Sequence, residues 1–178
     1  MHDRKVNTTT NGAASVKDKT LSELKMLDAG KGQRIPTADE VLDLINSKVG
    51  VNIELNGPGT AMKAARLISL YLNKGWDLGN FLVSSFSFWE LRRFKSFDCS
   101  AKTGLLFEDF TYDIFRIATG LDCYSINPRI DLVNKRFVEY AHRVGLKVFP
   151  YTANSPEDIR RLKEMGADGL FSDFPDRL

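Results

Sequence analysis

The segment Val51-Asn52-Ile53-Glu54-Leu55-Asn56-Gly57-Pro58 holds the residues best placed to do chemistry. Alternation along a strand puts Glu54 and Asn56 on one face and Ile53 and Leu55 on the other. One face must meet covering helices. The other looks into the interior, where a carboxylate has to be paired or to bind a metal. Oxygen ligands suit hard divalent cations, Mg2+ or Ca2+. An ion pair with a Lys or Arg inside the mouth of the fold would satisfy Glu54 as well. Other apolar runs also end in polar groups, namely Ser85, Asn127, Thr152, Asn154 and Asp173. Phe86, Trp89 and Tyr151 stand at or just beyond strand ends, where they would line an apolar pocket for an alkyl or glycerol part of a substrate. Plain core packing is the competing reading, and for Trp89 it is preferred.

Few other residues qualify. His2 has the position of a loose terminus. His142 lies between apolar positions 141 and 144 and reads as a surface or boundary residue. Two histidines in all exclude a His-rich metal site. Cys99 and Cys123 have no metal-type spacing and read as reduced thiols, which excludes a disulfide scaffold or zinc ribbon. There is neither a Walker-type phosphate loop nor a Gly-x-Ser-x-Gly elbow. Arg92 and Arg93 read as solvated neighbours on a helix.

The elements that must position these residues are well punctuated. Thr37 to Glu40 forms a capping box ahead of Val41, Leu42, Leu44 and Ile45. A helix from Thr60 carries Ala61, Ala64, Ala65, Ile68 and Leu72 and stops at Gly75. Ser87 to Glu90 is a further capping box. Thr111 is expected to cap a helix ending near Gly120. Phe137, Val138, Ala141 and Val144 share a face before Gly145. Ser155-Pro156-Glu157-Asp158 opens a helix closed by Gly166. Between the helices lie six β-rich runs: 51–56, 81–86, 102–107, 123–127, 147–152 and 168–172. Repeated βα units of this kind imply a parallel sheet covered by helices. A doubly wound sheet and a (β/α)8 barrel both fit. Polar residues at the strands' C-terminal ends favour the TIM-barrel type, whose sites are built at that rim.

At 178 residues the chain has the length of one domain, 1–178, with 1–35 a loop-rich insertion and 36–178 six βα units. A full barrel runs to about 250 residues, so two units are missing. Hydrophobic residues at 43% suffice for a sizeable core, and 25 basic against 23 acidic residues give no basic stripe for nucleic acid. No apolar run approaches the ~18 residues of a membrane span, and the polar, Thr-rich start is not a signal peptide.

Seven ordered segments carry a family resemblance: His2-Asp3 with Thr9-Thr10-Asn11-Gly12; Thr20 to Leu24 with Leu27-Asp28-Ala29-Gly30; Ile35-Pro36-Thr37 with Glu40-Val41-Leu42; Asn52-Ile53-Glu54-Leu55; Ser84-Ser85-Phe86; Tyr151-Thr152-Ala153-Asn154; and Asp168-Gly169 with Ser172 to Pro175. Over nearly its whole length the chain resembles the glycerophosphodiester phosphodiesterases, relatives of the phosphatidylinositol phospholipase C barrel. The resemblance implies a (β/α)8 barrel that hydrolyses a small-molecule glycerophosphodiester to an alcohol and glycerol 3-phosphate. It implies a divalent metal, Mg2+ or Ca2+, held by three carboxylates, and two histidines as general acid and base. Glu54 matches the third carboxylate and His2 the second histidine. Such a metal would polarise the phosphoryl oxygens, and the two imidazoles would relay a proton.

The departures set further expectations. The family's His-Arg-Gly and Glu-x-Asp motifs do not occur in this chain. Met1 then reads as an internal methionine, with the first two strands absent. Asn56 stands where the family usually has a Lys that contacts phosphate, Thr8 where it has Arg, and Tyr151 where it has Trp. Loss of one acid–base group costs roughly 10²- to 10⁴-fold. The chain alone is therefore expected to be impaired, and a non-catalytic binding or interaction module is the alternative. An incomplete barrel leaves two edges open to pairing with another chain, hence a possible oligomer. As written the chain reads as cytoplasmic; a lost leader would make it secreted or periplasmic.

Overall fold

A computed structural model describes residues 3–97 and 99–177. They form two compact units, Met1–Val49 and Gly50–Leu178. His2 lies outside the described residues.

The first unit is mostly turns around two short helices, α1 (Leu21–Lys25) and α2 (Ala38–Ile45). Both begin with reciprocal capping boxes, Thr20 with Glu23 and Thr37 with Glu40, so two N–H groups at each start are satisfied locally. Lys25 of α1 bonds Glu40 of α2. Leu42 is buried, whereas Leu44, nearly opposite it on the helix, is 84% exposed and drops out of the predicted stripe.

The second unit is a parallel sheet with helical crossovers. In order they are β1 (Val51–Glu54), α3 (Thr60–Asn73), β2 (Phe81–Ser85), α4 (Phe88–Lys95), β3 (Lys102–Phe107), α5 (Ile114–Gly120), β4 (Ser125–Pro128), α6 (Lys135–Arg143), β5 (Lys147–Val148) and α7 (Pro156–Met165). Spatial order equals chain order, β1-β2-β3-β4-β5, and every pairing is parallel. A doubly wound sheet reverses its order at a switch point; a barrel wall does not. The outer face is covered by Ala61, Ala64, Ala65 and Ile68 of α3, Leu91 and Phe94 of α4, and Phe137, Val138 and Ala141 of α6, all buried.

Capping follows the predicted pattern with two departures, one of them the Ser87–Glu90 box, of which only the Ser87 half forms. Asp113, not Thr111, caps α5 by accepting from the Arg116 N–H at 3.1 Å. Pro156 sits at the start of α7 and Gly166 closes it in the left-handed region at φ 86°, which glycine adopts without strain.

Two strand predictions differ only at their ends, β2 from 81–86 and β4 from 123–127, and three others need correction. The first strand ends at Glu54, not Asn56, because the Leu55 carbonyl is taken by the Ser85 hydroxyl at 2.8 Å and a Gly57-Pro58 turn follows. The fifth is interrupted by Pro150, which has no N–H; pairing to β4 nonetheless continues, with Phe149 N–H on Ile126 at 3.1 Å and Tyr151 N–H on Pro128 at 2.9 Å. The sixth run, 168–172, lies beside β5 without forming a ladder. Its backbone donates from Asp168 to Val148 and from Phe171 to Pro150. In return, Val148 N–H is accepted by the Asp168 carboxylate at 2.9 Å, a side chain where a strand would use a carbonyl.

Register also fixes a polar layer inside the sheet. Glu54 pairs with Ser84, Ser84 with Gly104, and Gly104 with Ser125. Gly104 is needed for space. A Cβ there would stand 2.6 Å from Ser125 Oγ and 2.8 Å from Asn127 Nδ2. Ser84, Ser125 and Asn127 are fully buried, and Ser125 donates to Asn127 Oδ1 at 2.9 Å.

Two expectations follow from this packing. Gly104→Ala should cost roughly 1–3 kcal/mol, the usual penalty for overpacking, measured by urea unfolding. Asp168 concerns pH. Burial alone would raise its pKa, but Lys147 at 2.7 Å, His142 at 2.7 Å and the Val148 N–H outweigh that and hold it below the usual aspartate value. A depressed folded-state pKa gives stability that is full above the unfolded value of about 3.9 and is lost as pH falls through the folded one. Urea midpoints measured down a pH series should therefore drop more steeply below about pH 4 in wild type than in Asp168→Asn.

Candidate active site

All five strands run the same way, so their C-terminal ends share one rim. After β2 stands Phe86, after β3 Glu108, after β4 Arg129 and beyond β5 Tyr151, while Glu54 ends β1. The rings of Phe86 and Tyr151 meet edge to face, centroids 5.8 Å apart at 87°. The Tyr151 hydroxyl donates to the Phe107 carbonyl at 3.1 Å, which fixes the ring across the end of β3. Phe86 is 46% exposed, so the corner between the two rings is open to solvent.

Charge surrounds this corner. Burial, above all, pushes the Tyr151 phenol well above its usual pKa; the negative charges of Glu108 and Glu54 push it further, against the opposing pull of Arg129. Tyr151 is thus a neutral hydrogen-bond donor at physiological pH and not a base. Arg129 is held bidentately by Asp131, Nε to Oδ1 at 2.6 Å and Nη2 to Oδ2 at 2.9 Å. Such fork geometry is a strong, orienting pair.

The predicted site residues divide. Glu54, Phe86 and Tyr151 come together at the rim. Glu54 is half-buried at the end of its strand, while Asn56 is exposed in the loop that follows, so strand alternation no longer relates the two. Ser85 and Asn127, taken from their positions as rim groups, are fully buried and structural. Asn154 and Asp173 do meet, Nδ2 to Oδ2 at 2.8 Å, and tie the chain after β5 to residues 172–173. Trp89, preferred as core, is 64% exposed and packs on Phe88. His142 is a boundary residue, as expected, and pairs with Asp168. Sequence reasoning passed over Glu108, Arg129 and Asp131. The available signal was position: Glu108 and Arg129 directly follow a strand, and Asp131 stands two residues beyond Arg129.

Among the described residues no group of three or more His, Cys, Asp or Glu side chains converges as a metal site. Glu54 by itself does not fit a tightly held divalent cation.

A rim of strand ends on an unreversed parallel sheet is one half of the comparison with known proteins. The other half is sequence: the model of the "Glycerophosphoryl diester phosphodiesterase family" matches residues 1–177. This chain belongs to that family. A glycerophosphodiester phosphodiesterase of Caldanaerobacter subterraneus is 35% identical over the whole chain, which spans 77% of that relative. One from Bacillus subtilis is 30% identical over 99% of the chain and 69% of the relative. Among solved structures, an Oleispira antarctica phosphodiesterase in complex with the product sn-glycerol-3-phosphate superposes with a TM-score of 0.88 at 26% identity, over 99% of this chain and 76% of that one. The fold of this chain is accordingly of the (β/α)8 TIM-barrel type. No helix among its described residues is long and apolar enough to cross a membrane.

Tyr151→Phe tests the anchoring of the corner. It removes one partly buried hydrogen bond and keeps the ring, so it should cost about 0.5–1.5 kcal/mol in urea unfolding. Tyr151→Leu should cost more, because the edge-to-face pair is worth a further ~0.5–1.5 kcal/mol.

Proposed function

We propose that this chain supplies the substrate-binding rim of a glycerophosphodiester hydrolase, the reaction releasing an alcohol and glycerol 3-phosphate. The observation that carries the reading is the superposition, over 99% of the chain, on a phosphodiesterase holding sn-glycerol-3-phosphate. In this reading the Phe86–Tyr151 corner takes the apolar edge of the glycerol or alcohol part and excludes water from that side. Tyr151 stays protonated, so it presents no negative charge to the phosphate. Asn56, exposed beside the rim, is assigned to the substrate as a neutral hydrogen-bonding group. His2 is assigned the proton transfer, and Glu54 is offered as one carboxylate of a divalent site, Mg2+ or Ca2+. The described residues do not complete that site, and no step is derived through a metal. Impairment of the isolated chain is part of the proposal.

The test separates binding from turnover. With Mg2+ or Ca2+ present, the chain is expected to bind sn-glycerol 3-phosphate in isothermal titration, and Phe86→Ala should weaken binding by about tenfold, the worth of ~1.4 kcal/mol. Release of glycerol 3-phosphate from glycerophosphocholine should stay at background. A wild-type chain that binds no glycerol 3-phosphate would overturn the proposal. Binding without turnover even when His-Arg-Gly and Glu-x-Asp segments are supplied would instead mark a binding module. Turnover near that of a full-length relative would refute impairment, and Glu54→Gln should then abolish it.

A further inference from the structure

Two rim segments are bolted to each other by side chains that local sequence does not pair. The first is the loop from Glu54 to α3, which carries Asn56. The second is the turn from β2 into α4, which carries Phe86. Ser85, fully buried, donates its hydroxyl to the Leu55 carbonyl at 2.8 Å, between Glu54 and Asn56. The same oxygen accepts from Ser87 N–H at 3.0 Å, so one hydroxyl holds both segments. At the far end of the loop, Glu90 of α4 reaches the start of α3. Its carboxylate accepts from Gly59 N–H at 3.2 Å, from Ala61 N–H at 3.0 Å and from the Thr60 hydroxyl at 3.4 Å. Gly59 has no side chain to cap α3 itself. The carboxylate therefore supplies both the hydrogen bonds and the negative charge that a helix start favours. Burial works against the charged form of Glu90, and these N–H groups outweigh it.

The sequence signature had assigned Glu90 to a capping box of its own helix. Only half of that box exists: Ser87 accepts from Glu90 N–H at 3.3 Å, while the Glu90 side chain has gone across to α3. We infer that Ser85 and Glu90 are positioning residues, a two-point clamp that sets the Glu54–Asn56 loop against Phe86 and thereby shapes the rim for substrate. The inference rests on the function proposed above, because it concerns the same rim.

The experiment compares the full chain with Glu90→Ala, Glu90→Gln, Ser85→Ala and Asn134→Ala. Asn134 caps α6 by accepting from Phe137 N–H at 3.0 Å, so its loss is a matched cap deletion away from the clamp. Hydrogen exchange of residues 55–61 and titration with sn-glycerol 3-phosphate are the two readouts. Glu90→Ala should speed exchange of the Gly59 and Ala61 amides and weaken binding about 10- to 100-fold, the usual effect of losing an outer support. Glu90→Gln, which keeps an acceptor oxygen, should recover part of both. Ser85→Ala should act on the Leu55 end of the loop and weaken binding likewise. Asn134→Ala should lower the urea midpoint and leave binding and the 55–61 amides unchanged. The inference fails if Asn134→Ala weakens binding as much as Glu90→Ala. It also fails if Glu90→Ala leaves these amides unchanged, or frees them with no loss of binding. A wild-type chain that binds no glycerol 3-phosphate overturns the function instead, and exchange alone then decides whether the clamp exists.

Discussion

Parallel pairing is the constraint from which the rest follows. When each strand returns through a helix, every strand must deliver its last residue to the same edge. Glu54, Phe86, Glu108, Arg129 and Tyr151 are spread over 97 positions, yet each ends or follows a strand and so reaches one rim. The ladder also sets their spacing, because Glu54, Ser84, Gly104 and Ser125 are successive partners in register. A single slip would exchange the faces of a whole strand and send Glu54 against the helices. The tight fit of Ser125 and Asn127 over Gly104 opposes such a slip, since no other residue type leaves room for them.

Polar groups perform most of the fine adjustment. Apolar burial against α3, α4 and α6 holds the helices on the sheet but leaves their exact height free, being non-directional. Hydrogen bonds remove that freedom. Ser85 fixes Leu55, Glu90 fixes the first turn of α3, Tyr151 fixes itself to the end of β3, and Asp168 fixes the chain beyond α7 to β5. Ser85, Glu90 and Tyr151 join segments beyond the C-terminal ends of the strands, and the rim owes its shape to these three contacts. Asp168 instead secures the opposite end of β5, beside the end of α6.

How much of this was legible depended on distance along the chain. Helix starts were read well because a side-chain cap acts within four residues, and α2, α4 and α7 begin where Thr37, Ser87 and Ser155 predicted. The strand pattern gave the βα alternation and the rim. What failed was long-range. Glu90 looked like a local cap, but its partner lies 29 residues away. The run 168–172 had the composition of a strand, but a carboxylate took the place of its carbonyl. Ser85 and Asn127 sat at strand ends like site residues, and only burial separates them from Glu54. Phe86 and Tyr151 were each legible as strand-end aromatics; their contact, across 65 positions, was not.

The charge of the rim states what its substrate must overcome. A phosphodiester is an anion. Around the Phe86–Tyr151 corner stand Glu54, Glu108 and Asp131 against Arg129, whose fork is already engaged by Asp131. Carboxylates close to a phosphate repel it, more strongly as water is excluded. A rim so composed favours neighbouring groups that add no further negative charge. The neutral Tyr151 and Asn56 are consistent with that demand, because they give hydrogen bonds without adding to the repulsion.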